Sequence, residues 1–337
     1  MRVGAVCAGI GGLELAAATV WDTELQWVAE IDPAASQVLE ARFGVPNLGD
    51  LTEIGAPPQV DLLTAGFPCQ PVSAAGRRRG VNDERWLIRD VMGVARRSGA
   101  RWVLLENVRG LLTANQGEAL RQVFAAVADH GFDAWWTCVR ASDVGAPHRR
   151  ERWFLLAADA SSTEREASQH DTVAAAVGSA AESGECDSAS TADTDGARAG
   201  RDGRAVPRAI AGARRAGLDV PAAVDGGATL ADAEDAGRER GRTARHRWSG
   251  STDCDWGPYE PAIRRWEHAM GTAAPAPVNG KALCPVFVEW LMGFPAGWVT
   301  DLDLSRSQML KCLGNAVVPQ QAAYAIAELL RLPEEQP

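Results

Sequence analysis

The feature that most constrains the fold is an alternation, over residues 1–158, of apolar strand-like runs with helical patterns. Residues 2–7, 25–30, 60–65, 101–106, 132–139 and 153–158 read as strands, most of them short apolar runs of the buried type. Residues 12–20, 33–43, 86–97 and 117–130 carry helical spacing. The second of these opens with Pro33, whose fixed φ suits a first helical turn. Strands alternating with helices predict an α/β fold built on a doubly wound, mostly parallel, Rossmann-like sheet. In such folds ligands bind beyond the carboxyl ends of the strands.

A chain of 337 residues allows one large domain or two ordinary ones. Its hydrophobic fraction of 46% and charged fraction of 23% suit a globular chain with a sizeable core. No apolar run reaches the length of about 18 residues that a membrane-spanning helix needs. The start, Met1-Arg2-Val3-Gly4, leads at once into the first strand and lacks a signal-peptide pattern. Seven cysteines, at 7, 69, 138, 186, 254, 284 and 312, are odd in number, scattered and without a Cys-x-x-Cys pair. That spacing argues against a disulfide framework and against a structural zinc. A reducing cytoplasm is the expected location.

The net charge of −10 argues against a protein that coats nucleic acid indiscriminately, although a local grip depends on how charge is distributed. Residues 159–195 hold nine acids against the single base Arg165, and residues 198–247 hold eleven arginines against seven acids. Aliphatic periodicity is lost over 159–245, where Ala, Gly, Asp, Ser and Arg dominate, and this stretch reads as low-complexity sequence. A pattern of folded type resumes at Trp248, with Trp256, Tyr259, Trp266, Trp290 and Trp298 close together. A helical pattern over 321–330 ends the chain. This last piece is too small to fold alone, so it is expected to pack back onto the first 158 residues.

The chemistry-bearing residues cluster at the expected strand ends. Val6-Cys7-Ala8-Gly9-Ile10-Gly11-Gly12 is a glycine turn between a strand and a helix. It is either a plain tight connection or a place where a ligand meets bare backbone at a positive helix end. Glu30 ends the next strand, as does an acid that binds a ribose diol in dinucleotide folds, and Asp50 follows near the end of a third segment. Gly66-Phe67-Pro68-Cys69-Gln70-Pro71-Val72-Ser73 places a cysteine between prolines at a strand's carboxyl end. A thiolate there is a strong nucleophile if its surroundings lower its pKa. Arg77, Arg78 and Arg79 follow, as a solvated charge run or as phosphate contacts. Glu106 in Leu105-Glu106-Asn107-Val108 is a candidate general acid if burial raises its pKa. Arg150 and Arg152 alternate, so both are able to point into one cleft, or else form an ordinary surface pair with a glutamate.

In chain order these elements, closed by Leu313-Gly314-Asn315-Ala316-Val317-Val318-Pro319, resemble the DNA (cytosine-5) methyltransferase family of bacterial or phage type. The likeness covers about residues 1–158 and 283–332. It implies an S-adenosyl-L-methionine-binding catalytic domain of residues 1–158 plus 283–337, and a smaller target-recognition domain over the variable residues 159–282. It also implies that Cys69 attacks C6 of a flipped-out cytosine, that Glu106 protonates N3, and that Arg152 contacts the base with Arg150 beside it. Gly9, Ile10, Gly12, Glu30, Asp50, Pro68 and Asn315 would then hold the cofactor, and Gln70 and Ser73 would lie on a loop that closes over double-stranded DNA. No metal is implied. A monomer suffices, and a cognate restriction endonuclease would act separately.

The chain departs from the family pattern twice, with Cys7 where phenylalanine is usual and His148 where glutamine is usual. The tRNA cytosine methyltransferases share most of these motifs. They tend to have Pro-Pro-Cys where this chain has Phe67-Pro68-Cys69, and a Cys-Phe-Thr element absent here, so DNA is the expected substrate.

Overall fold

A computed structural model describes residues 1–68, 86–161 and 254–331. Cys69, Gln70, Ser73, Arg77, Arg78 and Arg79, and nearly all of the low-complexity stretch, lie outside the described residues.

Six strands, β1 (Arg2–Val6), β2 (Glu24–Ala29), β3 (Leu62–Ala65), β4 (Trp102–Val108), β5 (Phe132–Arg140) and β6 (Glu151–Asp159), form one sheet in the order β2-β1-β3-β4-β6-β5. The pairs β1–β2, β1–β3 and β3–β4 are parallel, whereas β6 runs antiparallel to both β4 and β5. The amino end of β6 therefore lies beside the carboxyl end of β4, with Val108 opposite Arg152. This pairing carries both strands further than their apolar runs alone predict. β4 continues to Val108, and β6 begins at Glu151 instead of Trp153.

Both faces of the sheet are buried, which is why its strands read as continuous apolar runs. Along β4, Val103 and Leu105 face one layer and Leu104 the other, and along β6 Trp153 and Leu155 oppose Phe154 and Leu156. Helices α3 (Ile88–Arg97) and α4 (Glu118–Asp129) cover the first face through Val91, Met92, Val123 and Ala126. Helix α1 (Gly12–Val20) covers the second, together with the carboxyl-terminal Pro319–Arg331 helix. Leu13, Ala16 and Ala17 share that core with Ala322, Ile326 and Leu329.

Helix α2 (Pro33–Phe43) starts where the Asp32 side chain accepts from the Ala34 and Ala35 amides, and stops at Gly44 in the left-handed region. A third core joins α2 to the chain beyond residue 254. Ile10, Ala35 and Val38 pack there with Trp266, Trp290, Phe294, Val299, Leu313 and Val318. Within it lie helices α5 (Glu260–Met270), α6 (Pro285–Leu291) and α7 (Arg306–Asn315), with a short hairpin of β7 (Val278–Asn279) and β8 (Ala282–Leu283) before α6; the Pro319–Arg331 helix is α8. Trp266 and Trp290 are core residues, while Tyr259 is exposed. Among the described residues no helix is long and apolar enough to cross a membrane.

Beneath the glycine turn, α1 buries Glu14 against β3, where Thr64 Oγ1 donates to its carboxylate. Burial raises its pKa from 4.5 to about 7, the hydrogen bonds opposing the shift. Below pH 4.5 both folded and unfolded chains carry the proton. Between there and about pH 7 the unfolded chain ionises first, so stability falls as pH rises, by roughly 3 kcal/mol in all. Replacement by the neutral isostere, Glu14→Gln, is expected to raise the urea midpoint at pH 8 and to flatten its decline between pH 5 and pH 8. A variant no more stable than the parent at pH 8 would contradict this.

Candidate active site

The carboxyl ends of β1, β2, β3 and β4 open into a cleft of about 420 Å³, as the topology of a doubly wound sheet requires. The residues around it come from four strand ends, from the start of β6 and from the α7–α8 connection. Gly9, Ile10, Gly12, Glu30, Asp50, Pro68, Glu106, Arg150, Arg152 and Asn315 all line it.

The floor is the glycine turn. Gly9 has φ +59° and nothing within 4 Å of where a Cβ would stand, so its backbone faces open space. Gly12 is needed for the opposite reason. A Cβ there would stand 2.4 Å from the Val317 carbonyl oxygen, so only glycine lets α1 start this close to the returning tail. Glu30 holds the turn, its Oε2 accepting from the Gly9 amide at 2.8 Å and its Oε1 from the Asp32 amide at 2.9 Å. A carboxylate has about four acceptor positions, so this leaves capacity toward the cleft. Asp50 caps a short helical turn, with Oδ1 accepting from both Thr52 N and Thr52 Oγ1.

The far wall carries the buried pair. Glu106, on β4, accepts from Arg152 Nε at 3.0 Å, and both side chains are largely buried. Burial pushes the Glu106 carboxyl above its usual range, and the guanidiniums of Arg152 and Arg150 pull it back down. The two arginines part company beyond that. Arg150 donates through Nη1 to the Gly314 carbonyl at 3.1 Å and through Nη2 to the Ala316 carbonyl at 2.5 Å. It thus acts on Glu106 only through its charge, while its hydrogen bonds bracket Asn315. Burial lowers its pKa to about 10.

Two residues at the site make ties that the sequence does not announce. Asn107, next to Glu106, is buried and donates to the Phe67 carbonyl at 3.1 Å, tying β4 to the segment that leads to Pro68. Lys311 pairs with Asp32 at the rim, joining α7 to the cap of α2. Its position as one of two lysines in the chain is the one hint the sequence offered.

The two departures from the family pattern also find places. Cys7 lines the cleft with φ +48°, and burial with the Glu30 and Asp50 charges pushes its thiol up to about 12. Cys312, also at the cleft, is raised to about 11 by burial. Neither is a thiolate at neutral pH. His148 is not among the lining residues; its Nε2 is 3.1 Å from the Leu291 carbonyl, and burial lowers its pKa.

Removing Arg152 would strand a buried carboxylate. Arg152→Met is expected to destabilise the fold by about 3–5 kcal/mol at pH 8. The loss is expected to be smaller at pH 5, because an unpaired Glu106 then holds its proton in the folded state. Urea unfolding at the two pH values checks this, and an equal loss at both would contradict it.

Residues 1–197, more than half of the chain, match the family model of the C-5 cytosine-specific DNA methylases. The chain is similar to the Type II methyltransferase M.BsuFI of Bacillus subtilis, with 37% identity over 152 residues, 44% of this chain and 37% of that protein. It is also similar to the Type II methyltransferase M.BanI of Aneurinibacillus aneurinilyticus, with 36% identity over 155 residues, 44% of this chain and 36% of that protein. The chain thus spans less than half the length of these curated relatives. In fold it is similar to the S. pombe Dnmt2 methyltransferase, with a TM-score of 0.52 and 15% identity over the whole of both chains. The Entamoeba histolytica methyltransferase EhMeth gives 0.53 and 12%, covering 100% of this chain and 99% of that one. At such identities the likeness concerns the fold alone. The family match runs through every element that builds the cleft's floor and far wall up to β6, and on that basis the chain belongs to the C-5 cytosine-specific DNA methylase family.

Proposed function

We propose that the chain transfers a methyl group from S-adenosyl-L-methionine to C5 of cytosine in double-stranded DNA at a defined sequence, in a restriction-modification setting. The observation that carries this reading is one cleft with two walls. A glycine turn and two carboxylates line one side, and a buried Glu106–Arg152 pair lines the other, beside Pro68. Cys69 follows Pro68 in the sequence.

The donor set fits the cofactor. Glu30 and Asp50 are acceptors suited to a ribose diol and an adenine amine, and the bare backbone at Gly9 and Ile10 suits the close approach of the methionine part, with Gly12, Pro68 and Asn315 completing the pocket. When bound, the cofactor supplies an electrophilic methyl on a sulfonium. The protein's residues do the rest. The Cys69 thiolate would form a bond to C6 of the extruded base while Glu106 delivers its proton to N3, so that the C5–C6 π electrons move onto C5 and make it a carbon nucleophile able to take a methyl group. Burial, which pushes the Glu106 carboxyl above its usual range, favours the protonated form, and Arg152 keeps it aimed. Loss of the C5 proton to a base then re-forms the C5–C6 double bond and expels the Cys69 thiolate, and N3 returns its proton to Glu106, so that both residues are restored. Extruding the base costs a few kcal/mol, which pocket and backbone contacts must offset.

In this reading residues 1–158 and 283–337 form the catalytic domain and residues 159–282 the target-recognition domain. Gln70 and Ser73 touch DNA, one chain acts as a monomer in the cytoplasm, and any restriction endonuclease acts separately.

Expression in a host lacking cytosine methylation, followed by bisulfite sequencing, is expected to show methylcytosine in one short context, and none with Cys69→Ala. Methylation of the host's tRNA in place of its DNA would move the substrate to RNA, and activity surviving in Cys69→Ala would remove the nucleophile. Because arginine–phosphate contacts release counterions, DNA affinity is also expected to fall by orders of magnitude between 50 and 200 mM salt if about six or more phosphates are contacted. A flat profile in a filter-binding titration would contradict a basic DNA face.

A further inference from the structure

Glu289 lies outside the cleft, on α6, and is 1% exposed, yet its carboxylate accepts four hydrogen bonds. Oε2 takes the Gly297 amide at 2.7 Å and Thr300 Oγ1 at 2.9 Å, and Oε1 takes the Val299 amide at 2.6 Å and the Thr300 amide at 3.0 Å. One side chain thereby sets the backbone of the loop at 297–300. Every acceptor position of the carboxylate is engaged by that one loop.

At the centre of this loop is Trp298. Its Nε1 donates to the Ile10 carbonyl at 2.9 Å, across 288 residues of sequence. Ile10 belongs to the glycine turn, where Cys7, Gly9 and Gly11 all have positive φ. A turn with that backbone and an open cleft on one side needs to be held from the other. Arg42 completes the clamp. It donates to the Trp298 carbonyl at 2.8 Å and to the Gly297 carbonyl, and its guanidinium lies 5.7 Å from the centroid of the Trp298 ring. Phe43 meets the indole edge-on at 5.6 Å between ring centroids.

We infer that Glu289 and Trp298 are positioning residues for the cofactor side of the cleft, with Glu289 shaping the loop that lets the Trp298 indole hold the glycine turn from behind. Glu30 grips the turn through Gly9 from the cleft side and Trp298 grips it through Ile10 from the rear, so the backbone that meets the ligand is set before the ligand arrives. The inference rests on the reading that this cleft takes S-adenosyl-L-methionine.

Its test uses the full chain. Trp298→Phe keeps an aromatic ring against Phe43 and Arg42 while removing the N–H donor toward Ile10 together with part of the indole's packing surface. One neutral hydrogen bond corresponds to about a three- to tenfold change in affinity. Calorimetric titration with S-adenosyl-L-methionine is expected to show the Kd rising by that factor, with KM for the cofactor rising alike and kcat nearly unchanged, the pattern of lost uniform binding. Glu289→Gln, which sets an amide NH2 against these donors, is expected to shift Kd in the same direction. It also keeps the test decisive should Trp298→Phe fold poorly. Folded variants that bind the cofactor as tightly as the parent would overturn the inference and leave the cofactor reading standing. A parent protein that binds no S-adenosyl-L-methionine would overturn that reading itself. A fall in kcat with KM unchanged would place these residues in the chemical step and equally overturn a positioning role.

Discussion

The antiparallel pairing of β6 with β4 is the constraint on which the site depends. Had β6 run parallel like its neighbours, its amino end would lie at the opposite edge of the sheet, far from Glu106. Reversed, it sets Arg152 opposite Val108 and brings a guanidinium to the buried carboxylate of Glu106. Each member makes the other tolerable. A buried carboxylate without a partner takes up a proton, and a buried guanidinium without one is severely penalised. The result is a carboxyl whose pKa is raised by burial yet restrained by two arginines.

The rest of the cleft is assembled by long-range ties that return the end of the chain to its beginning. Gln321, fully buried on α8, donates to the carbonyls of Val139 and Arg150 at 2.7 Å each. This fixes the backbone at the start of β6. Arg150 then reaches to the carbonyls of Gly314 and Ala316, and the Val317 carbonyl lies against Gly12. Tail, reversed strand and glycine turn therefore share one set of contacts, and Asn315 is held at the cleft by backbone bonds on both sides of it. The Glu289 loop adds a second brace to the same turn. A cleft whose floor is gripped from several directions is preorganised, and that lowers the ordering cost of binding.

The sheet was legible because its signals are local. Apolar runs of strand length between helical patterns leave few options, and strand ends in such a sheet all face one edge. That is why Glu30, the glycine turn, Pro68 and Glu106 read as strand-end residues before any coordinates, whereas Asn315 joined them only through the family resemblance. The same locality explains the boundary differences, because a strand is lengthened by its partner and not by its own residues. β4 reaches Val108 only because β6 is there to pair with it. Asp50 combines a structural and a site position, since it caps a helical turn with one oxygen while lining the cleft.

Periodicity and motifs a few residues long suffice for the α/β class, the order of the elements and the identity of the residues at the strand ends. The tertiary structure alone decided which partners those residues meet. Arg150 and Arg152 look equivalent in Arg149-Arg150-Glu151-Arg152, yet one pairs with Glu106 and the other brackets Asn315. Trp298 and Glu289 look like ordinary core residues until the loop is seen behind Ile10. Such contacts span 164 and 288 residues, and no local pattern encodes them. They exist because the packing of three cores fixes where the chain returns, and a hydrogen bond acts only over the last 3 Å or so.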